Sequence, residues 1–276
     1  MKVLRFPMAL AGAAIIVALV TTATLAPALA PYDPRALAGD ALQPPSAAHL
    51  LGTNNLGQDI LSQIIWGARD SLTLAVGAAS LAVVAGILIG VGAGLLGGIA
   101  DVVAMRLVDL FLAVPRLPLL ILVATLVGAN RTSLTVIIGT MTWPVLARKL
   151  RSQTLSLRSR GFVGAARGYG GGLFYVMRRH VVPALGPLVI ASFILVASNA
   201  ILLEASLAFL GLADPTGTGW GLMLNKALLD PGLYFTSVWL WWVLPAGFAV
   251  TLAVLGFSFL GVGLEPILNP RGAARP

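Results

Sequence analysis

Six long apolar runs, separated by shorter polar segments, organise the chain and predict six membrane-spanning helices. A helix needs about 20 predominantly apolar residues to cross a bilayer, and each run either meets that length or forms the core of a longer helix. The runs cover residues 8–30, 71–96, 100–127, 134–146, 184–210 and 236–263. The pattern therefore predicts an all-α, polytopic membrane protein.

The first apolar run, residues 8–30, allows two interpretations. It follows Lys2 and Arg5 and ends in APALA, an A-x-A pattern typical of a secretory signal. The run is long for the core of a signal, however, and has the length of a span. We therefore expect a retained N-terminal transmembrane helix within residues 1–30.

Basic residues are concentrated in one loop, which the positive-inside rule assigns to the cytoplasm. Residues 148–183 hold eight of the eighteen Lys and Arg residues, and no acidic residue occurs between Asp109 and Glu204. With six spans, this bias assigns both termini to the cytoplasm. The charge alone leaves open that the loop contacts anionic lipid headgroups instead of a protein.

The charge bias also divides the chain into segments. Residues 31–70 are predicted to be extracytoplasmic, residues 71–263 to form a five-helix core, and residues 264–276 to be a cytoplasmic tail. Within the core, loop 148–183 is expected on the cytoplasmic side and loop 211–236 on the outer side.

Composition narrows the chemistry. Hydrophobic residues make up 58% of the chain and charged residues 10%, and the mean hydropathy is +0.94, as in integral membrane proteins. The net charge of +8 lies at span ends rather than on a polar surface, which argues against a nucleic-acid partner. The absence of cysteine excludes disulfides and thiolate metal sites. Because His49 and His180 lack companion ligand motifs, no metal site is predicted.

Two predicted spans carry patterns that bear on helix packing. Arg106 and Asp109 share a face of the third span at i, i+3 and are expected to pair near its cytoplasmic end. Pro115 and Pro118 are expected to kink the same span. In the second span a small residue recurs at every fourth position, which allows another helix to approach closely; these residues are Ala78, Ala82, Gly86, Gly90, Gly94 and Gly98.

Polar residues within the spans are candidates for a transport pathway or for structural hydrogen bonds. Asn199 and Glu204 lie in the fifth span, where an acidic residue is a functional hypothesis by default. Because Glu204 lies within two turns of the outer end, a hydrogen-bonded structural role is equally open. For Arg106 and Asp109, we prefer a structural ion pair to a proton relay.

A short stretch of small residues, 162–169, lies inside the basic loop. Glycines at 161 and at 170 to 172 bracket it, which predicts a brief helix between two flexible breaks. The stretch resembles the EAA loop of binding-protein-dependent ABC importer permeases. The resemblance rests on Ala165, Ala166, Gly170 and the Val182–Pro183 pair.

Two further stretches resemble the C-type permease subunits of bacterial dipeptide and oligopeptide importers. They are LLGTNNLGQDILSQIIWGARDSL at 50–72 and LLEASLAFLGLADPTGTGWGLML at 202–224. The chain departs from the family pattern at Gly164, where Glu is usual, at Gln58, where Arg is common, and at Ala184, where Asn is common.

The resemblance implies a type I ABC importer permease fold in which the EAA helix is a coupling helix, seated in a groove of an ATPase subunit. Phe162 and Tyr169 are then expected to be apolar anchors, and Arg167 to reach a partner carboxylate. Gly170 would permit the turn back towards the membrane. The residues assigned to ATPase coupling are Phe162, Gly164, Ala165, Ala166, Arg167, Tyr169 and Gly170.

The resemblance also implies partners: a second homologous permease, ATPase subunits, an extracytoplasmic substrate-binding protein and the lipid bilayer. Asp214 and Trp220 of the outer loop are expected to face the binding protein. The chain contains no GxxxxGK[ST] motif and no Gly-Lys dipeptide, so it lacks a Walker loop. We expect ATP and Mg on the ATPase subunits, no cofactor on this chain, and no enzymatic activity of its own.

The function expected is that of a transmembrane subunit of an ATP-driven importer of dipeptides or oligopeptides in a bacterial cytoplasmic membrane. The alternative is an ion-coupled secondary transporter, for which Glu204 and Asp109 are the only candidate relay groups. A purely structural membrane anchor would not explain the three motifs. The substrate stays open among dipeptides, longer peptides, nickel chelates, glutathione and haem.

Overall fold

The computed structural model describes residues 7–268, and these residues form a bundle of helices. Within this range no β-strand occurs, and the one β-bridge joins Thr53 to Asp59. The all-α prediction is confirmed. The helices are α1 Pro7–Thr24, α2 Ala26–Leu29, α3 Ile60–Leu96, α4 Gly98–Ala113, α5 Arg116–Val127, α6 Arg131–Arg158, α7 Gly161–Gly168, α8 (Leu173–Val176, Met177–Val181 and Val182–Ala184), α9 Gly186–Phe209, α10 Trp220–Leu228 and α11 Trp239–Leu268.

Four of these helices, α1, α3, α9 and α11, are long and apolar enough to cross a membrane, and α4 with α5 makes a fifth crossing if the bent pair is counted as one. Helix α6 contains the predicted fourth span, 134–146, but does not belong to this set. Its uncharged stretch between Arg131 and Arg148 includes four threonines and is shorter than the roughly 20 residues of a span. A polytopic protein is supported, and the sixth span stays a prediction.

The long helices run between two ends of the bundle. The loop end carries the irregular segment 30–59 and the loop 210–238, and the basic end carries residues 159–172. Helix α3 connects the two ends. Its first turn receives a hydrogen bond from the amide of Tyr32 to Ser62 Oγ at 3.1 Å, and its last turn accepts one from Arg167.

Helix α3 begins at Ile60, eleven residues before the predicted start of the second span at residue 71. Asp59 caps the helix by accepting hydrogen bonds from the amide and hydroxyl of Ser62 at 2.8 and 2.7 Å, and its other oxygen contacts His49 Nδ1 at 3.0 Å. Segment 30–59 folds over this first turn, and Gln63 donates to the carbonyl oxygen of Pro34 at 3.1 Å. Ser62 and Gln63, two of the polar residues that made 60–70 look extramembranous, are therefore buried helix residues.

The predicted ridge of small residues packs against α6. A Cβ added to Gly90 would lie 2.3 Å from the carbonyl oxygen of Ala147, and one added to Gly94 would lie 2.8 Å from Thr154. Ala78 and Ala82 are fully buried in the same helix. Gly98, the last member predicted, lies beyond the end of α3 and has open space around its Cβ position. Five members of the ridge thus belong to α3 and bring its backbone close to α6.

The expected kink in the third span is a full break. Helices α4 and α5 meet at an angle of 89°, because Val114 is extended before Pro115, as the residue preceding a proline tends to be. The expected pair of Arg106 with Asp109 is wrong. Asp109 pairs with Arg148 of α6 instead, while Arg106 is exposed and has no ion pair within residues 7–268. Contacts between helices decided the partner, not the spacing within one helix.

The first helix is an integral part of the bundle. Helix α1 packs along α11, where a Cβ on Gly12 would lie 2.4 Å from the backbone nitrogen of Leu260 and one on Gly263 would lie 2.5 Å from that of Ala9. The close packing is what a retained helix requires. Helix α11 extends to Leu268, so 264–268 are helical, and the rest of the predicted tail lies outside the described residues.

Candidate functional site

The predicted coupling helix is present as α7, Gly161–Gly168, at the basic end. Val163 is its buried residue and joins an apolar cluster with Leu157 and Val176. On the other side of the helix, Phe162 is 42% exposed and Tyr169, which directly follows, is 93% exposed. One face of the segment therefore anchors it to the bundle, and the opposite face leaves two aromatic rings free for a partner.

A Schellman motif ends α7, and Gly170 is its left-handed residue. Gly170 has φ of +82°, and its amide donates to the carbonyl oxygen of Arg167 at 3.0 Å. The amide of Gly171 donates to the carbonyl oxygen of Ala166 at 2.9 Å, which completes the motif. The expected turn at Gly170 is confirmed, and a side chain there would strain the backbone.

Arg167 does not reach outward, as had been expected of it. Its guanidinium donates to the carbonyl oxygen of Leu95 at 2.8 Å, and Arg158 donates to that of Gly94 at 3.4 Å. These carbonyls belong to the last turn of α3, where no intrahelical donor remains and positive charge is favourable. Arg167 thus fastens α7 to the end of α3.

The three remaining members of the set, Gly164, Ala165 and Ala166, differ in exposure. Gly164 is exposed and nothing lies within 4 Å of its Cβ position, so a larger residue fits without a clash. Ala165 is exposed as well, whereas Ala166 is half-buried against the apolar cluster beneath α7. The usual Glu is therefore absent from a position that has room for it.

A cavity of about 530 Å³ lies at the loop end. It is formed by segment 30–59, the first turns of α3 and α6, the end of α9 and the loop that follows α9. Its charged lining residues come from five separate parts of the sequence: Asp33, Arg35, Arg69, Asp70, Arg131, Glu204 and Asp214. The cavity combines acidic and basic groups in one space.

Asp70 ties three elements together at this cavity. It forms an ion pair with Arg131 at the start of α6, and it accepts hydrogen bonds from the hydroxyl and amide of Thr218 at 2.7 and 3.2 Å. In the next position, Ser71 donates to Glu204 Oε2 at 3.2 Å. The polar ends of α3, α6 and α9 are therefore held together around the cavity.

The polar residues predicted for the fifth span separate. Glu204 is 6% exposed and lines the cavity, whereas Asn199 is exposed and donates to the carbonyl oxygen of Leu195 within its own helix. Asn199 thus has a local hydrogen bond and lies outside the cavity lining. Only Glu204 keeps a position suited to a pathway.

Trp220 is not a surface residue, so its predicted contact with a binding protein is wrong. It is 1% exposed, and its indole N–H donates to the carbonyl oxygen of Ile64 at 3.0 Å. Gly67 leaves the space for the ring, because a Cβ there would lie 2.7 Å from the indole Cδ1. Trp220 anchors the loop onto α3.

Asp214 stays accessible at the rim of the cavity. Hydrogen bonds from the hydroxyl and the amide of Thr216, at 2.7 and 2.9 Å, hold the pKa of its carboxyl below the usual value. Burial lowers the pKa of the nearby Lys226, and the positive charge of Arg35 lowers it further. Arg35 therefore lies close enough to act on both Asp214 and Lys226.

The sequence offered little signal for this cavity. Arg35, Asp70 and Arg131 each lie in or beside a segment between predicted spans, where charged residues are common. Their partners are distant along the chain, as Asp70 and Thr218 illustrate. The motif at 202–224 contains several lining residues, among them Glu204, Asp214 and Gly219, but its resemblance alone did not predict a cavity.

Apolar helices, polar loops at one end and a short exposed helix in a basic loop at the other are the organisation of a polytopic inner-membrane permease. The chain belongs to the family described as binding-protein-dependent transport system inner membrane component, which matches residues 86–272. Residues 3–45 match the N-terminal transmembrane domain of oligopeptide transport permease C. The predicted resemblance to C-type subunits of ABC peptide importers is confirmed.

Individual relatives cover most of the chain. A protein of Brucella suis (biovar 1, strain 1330), named as a candidate peptide permease, is 40% identical over 229 residues, which is 82% of this chain and 74% of the relative. The di/tripeptide transport system permease protein DppC of Pseudomonas aeruginosa is 35% identical over 95% of this chain and 88% of its own. The glutathione transport system permease protein GsiD of Pectobacterium atrosepticum is 33% identical, with 98% and 89% covered.

Proposed function

We propose that the chain is the transmembrane subunit of an ATP-driven importer of short peptides and that α7 couples it to an ATPase subunit. The family is that of ABC importer permeases, and relatives are named for di/tripeptide, oligopeptide and glutathione transport. The observation that carries the coupling role is the two-faced geometry of α7. Its inner face is fixed to the bundle, and its outer face presents the rings of Phe162 and Tyr169.

The proposed assembly contains a second homologous permease, ATPase subunits that hold ATP and Mg, and an extracytoplasmic binding protein. In the proposed topology six spans cross the cytoplasmic membrane, the basic end and both termini face the cytoplasm, and the loop end faces outward. Movement of the ATPase dimer would pull on α7 and, through Arg167, on the end of α3. Because α3 runs to the cavity, this helix provides a direct mechanical path between the two ends.

The ion-coupled alternative has lost support at one of its two candidate groups. Asp109 pairs with Arg148 at the basic end and lies outside the cavity lining. A proton relay would then depend on Glu204 alone. The family match favours ATP as the energy source.

Three variants test the coupling role in the reconstituted importer, measured by substrate-stimulated ATP hydrolysis and by retention of the ATPase subunit. Ala166→Asp places a charge against the apolar cluster, and Gly170→Leu forces a side chain into the left-handed region, at about 1–2 kcal/mol. We expect both to lower stimulated hydrolysis. Gly164→Glu is the matched control, because its position is open, and we expect full activity or tighter ATPase retention.

If Ala166→Asp and Gly170→Leu both leave hydrolysis and subunit retention unchanged, α7 does not couple. Loss of activity in all three variants, including Gly164→Glu, would also contradict the proposal, since the surface of α7 would then tolerate no change at all.

A further inference from the structure

We propose that the loop-end cavity is a receiving site for the zwitterionic backbone of a short peptide. The buried carboxylate of Glu204 would bind the ammonium group, and the guanidinium groups of Arg35 and Arg69 at the rim would bind the carboxylate. This inference rests on the proposed function, because it requires that the substrate is a peptide with free termini.

Glu204, which forms the floor of the cavity, has a carboxylate that a cation would stabilise. Glu204 is 6% exposed, and its one side-chain hydrogen bond within residues 7–268 comes from the neutral hydroxyl of Ser71. A buried carboxylate is costly unless it is paired, and Arg131 in the same lining is already engaged by Asp70. A ligand ammonium group supplies both the charge and the hydrogen-bond donors that Glu204 lacks.

The approach to the free carboxylate oxygen is kept clear of side chains. A Cβ at Gly219 would lie 2.8 Å from Glu204 Oε1, closer than a carbon and an oxygen can pack. Glycine at this position therefore keeps a side chain from covering Oε1, while Ser71 donates to Oε2, and both Gly219 and Glu204 line the cavity. The carboxylate is fixed in orientation and has one oxygen available.

The rim offers the opposite charge. Arg35 and Arg69 both line the cavity, both are exposed, and neither has an ion pair among the described residues. The guanidinium of Arg69 lies 5.5 Å from the centre of the Trp66 ring, which limits its freedom and points to a prepared position. Guanidinium groups bind carboxylates through two parallel hydrogen bonds. Asp33 and Asp214 already accept hydrogen bonds within their own segments.

Size and polarity agree with a small peptide. A volume of about 530 Å³ lies within the roughly 300–1,000 Å³ range of small-ligand sites. A lone cation would use the floor and have no need of the rim, and a lone anion would use the rim alone. A ligand that carries both charges at opposite ends uses both, with its amino terminus inward.

The test uses the complete importer in lipid nanodiscs and a photoreactive dipeptide, alanyl-p-benzoylphenylalanine. We expect ultraviolet light to attach this probe to the segments of the chain that line the cavity. Free Ala-Ala should compete with the labelling, and N-acetyl-Ala-Ala-amide should not. Glu204→Gln keeps the shape and the bond to Ser71, and it should reduce labelling at least about tenfold, as loss of a charge-assisted hydrogen bond predicts. Asp40→Asn, an exposed acid outside the lining, should label as the wild type does.

Two further variants separate binding from folding. Glu204→Asp retains the charge and should recover part of the labelling. The double change Arg35→Gln with Arg69→Gln should weaken labelling by the free dipeptide but not by its C-terminal amide. If Glu204→Gln fails to assemble, this arginine comparison decides, because both arginines are exposed and their replacement leaves the fold intact.

The receiving site is refuted if Glu204→Gln labels as strongly as the wild type, or if the probe attaches only to the sister permease or the binding protein. It is also refuted if the free dipeptide and its amide respond alike to the arginine change. Peptide uptake by the same complex would then leave the proposed function standing. If the wild-type complex takes up no peptide, the proposed function fails, and this inference fails with it.

Discussion

Replacing Gly90 by alanine tests how closely α3 approaches α6. The new Cβ would lie 2.3 Å from the carbonyl oxygen of Ala147 and 2.8 Å from its Cα. Because both atoms belong to the backbone, no side-chain rotation can relieve the contact, and the two helices must separate. Gly92 is the matched control in the same helix, since nothing lies within 4 Å of its Cβ position.

The two substitutions share one contribution to stability, the helix propensity of alanine, and differ in a second, the cost of overpacking. Alanine stabilises a helix relative to glycine by roughly 0.5–1 kcal/mol, and this gain applies at both positions. Overpacking a close contact costs about 1–3 kcal/mol, and this cost applies at Gly90 alone. We therefore expect Gly92→Ala to be neutral or stabilising and Gly90→Ala to be destabilising by about 1–2 kcal/mol.

The difference in stability between the two variants is measured by heating the purified importer and recording how much of this chain stays soluble at each temperature. Gly90→Ala should unfold at a lower temperature than Gly92→Ala, and adding Ala147→Gly should not rescue it, because the obstructing atoms remain. Equal midpoints for the two single variants would refute the close approach of α3 and α6. Rescue by Ala147→Gly would show that a side chain, not the backbone, makes the contact.

Three further predictions concern the ends of the bundle. Since the chain has no cysteine, Cys introduced at Ser159 should react only with reagent admitted to the cytoplasm and Cys at Thr216 only from outside; the opposite pattern would reject the topology. Arg167→Gln weakens the charged hydrogen bond to the carbonyl oxygen of Leu95, a bond worth about 1.5–3 kcal/mol when fully buried and less here. The variant should therefore show faster hydrogen exchange across α7. Unchanged exchange would contradict the anchoring role of Arg167. Thr216→Val removes the main cause of the lowered pKa of Asp214. The stabilisation that comes from this lowered pKa is present above the pKa of the unfolded state and is lost as pH falls through the pKa of the folded state. The turn should therefore loosen at a higher pH in the variant than in the wild type, and an unshifted pH would contradict this.

The positions of the apolar helices followed from the sequence, because hydrophobic runs and charge bias act locally. The start of α3 did not, since Ser62 and Gln63 read as polar until segment 30–59 covers them. Asp59 followed by Ser62 carried a capping signal that could have moved the boundary. The break before Pro115 was anticipated in position but not in size.

For the candidate sites too, features encoded by neighbouring residues were predictable and contacts between distant residues were not. The helix at 161–168 and its turn at Gly170 were predictable, because glycine spacing encodes them locally. The partners of Arg167 and Trp220 were not, since both contacts join residues far apart in the chain. A tryptophan in a polar loop reads as exposed, and nothing near it in sequence reveals the space that Gly67 leaves for it.

The π-helical turn Ile87–Val91 gives α3 one place where a residue can be lost with little change in the phase of the helix. A π-turn holds about one residue more than an α-turn, so one residue fewer there would leave an ordinary α-turn and nearly the same orientation of the flanking turns. One residue fewer in the α-helical turns before it would instead rotate the last turn of α3 by about 100° relative to the first. Gly94 and Leu95 would then turn their carbonyls away from Arg158 and Arg167, while Asp70 and Ser71 stayed in place. A single deletion in an α-helical turn between residues 72 and 86 would thus put the two ends of the permease out of phase without breaking any helix, whereas the same deletion in the π-helical turn or in segment 30–59 would be absorbed locally.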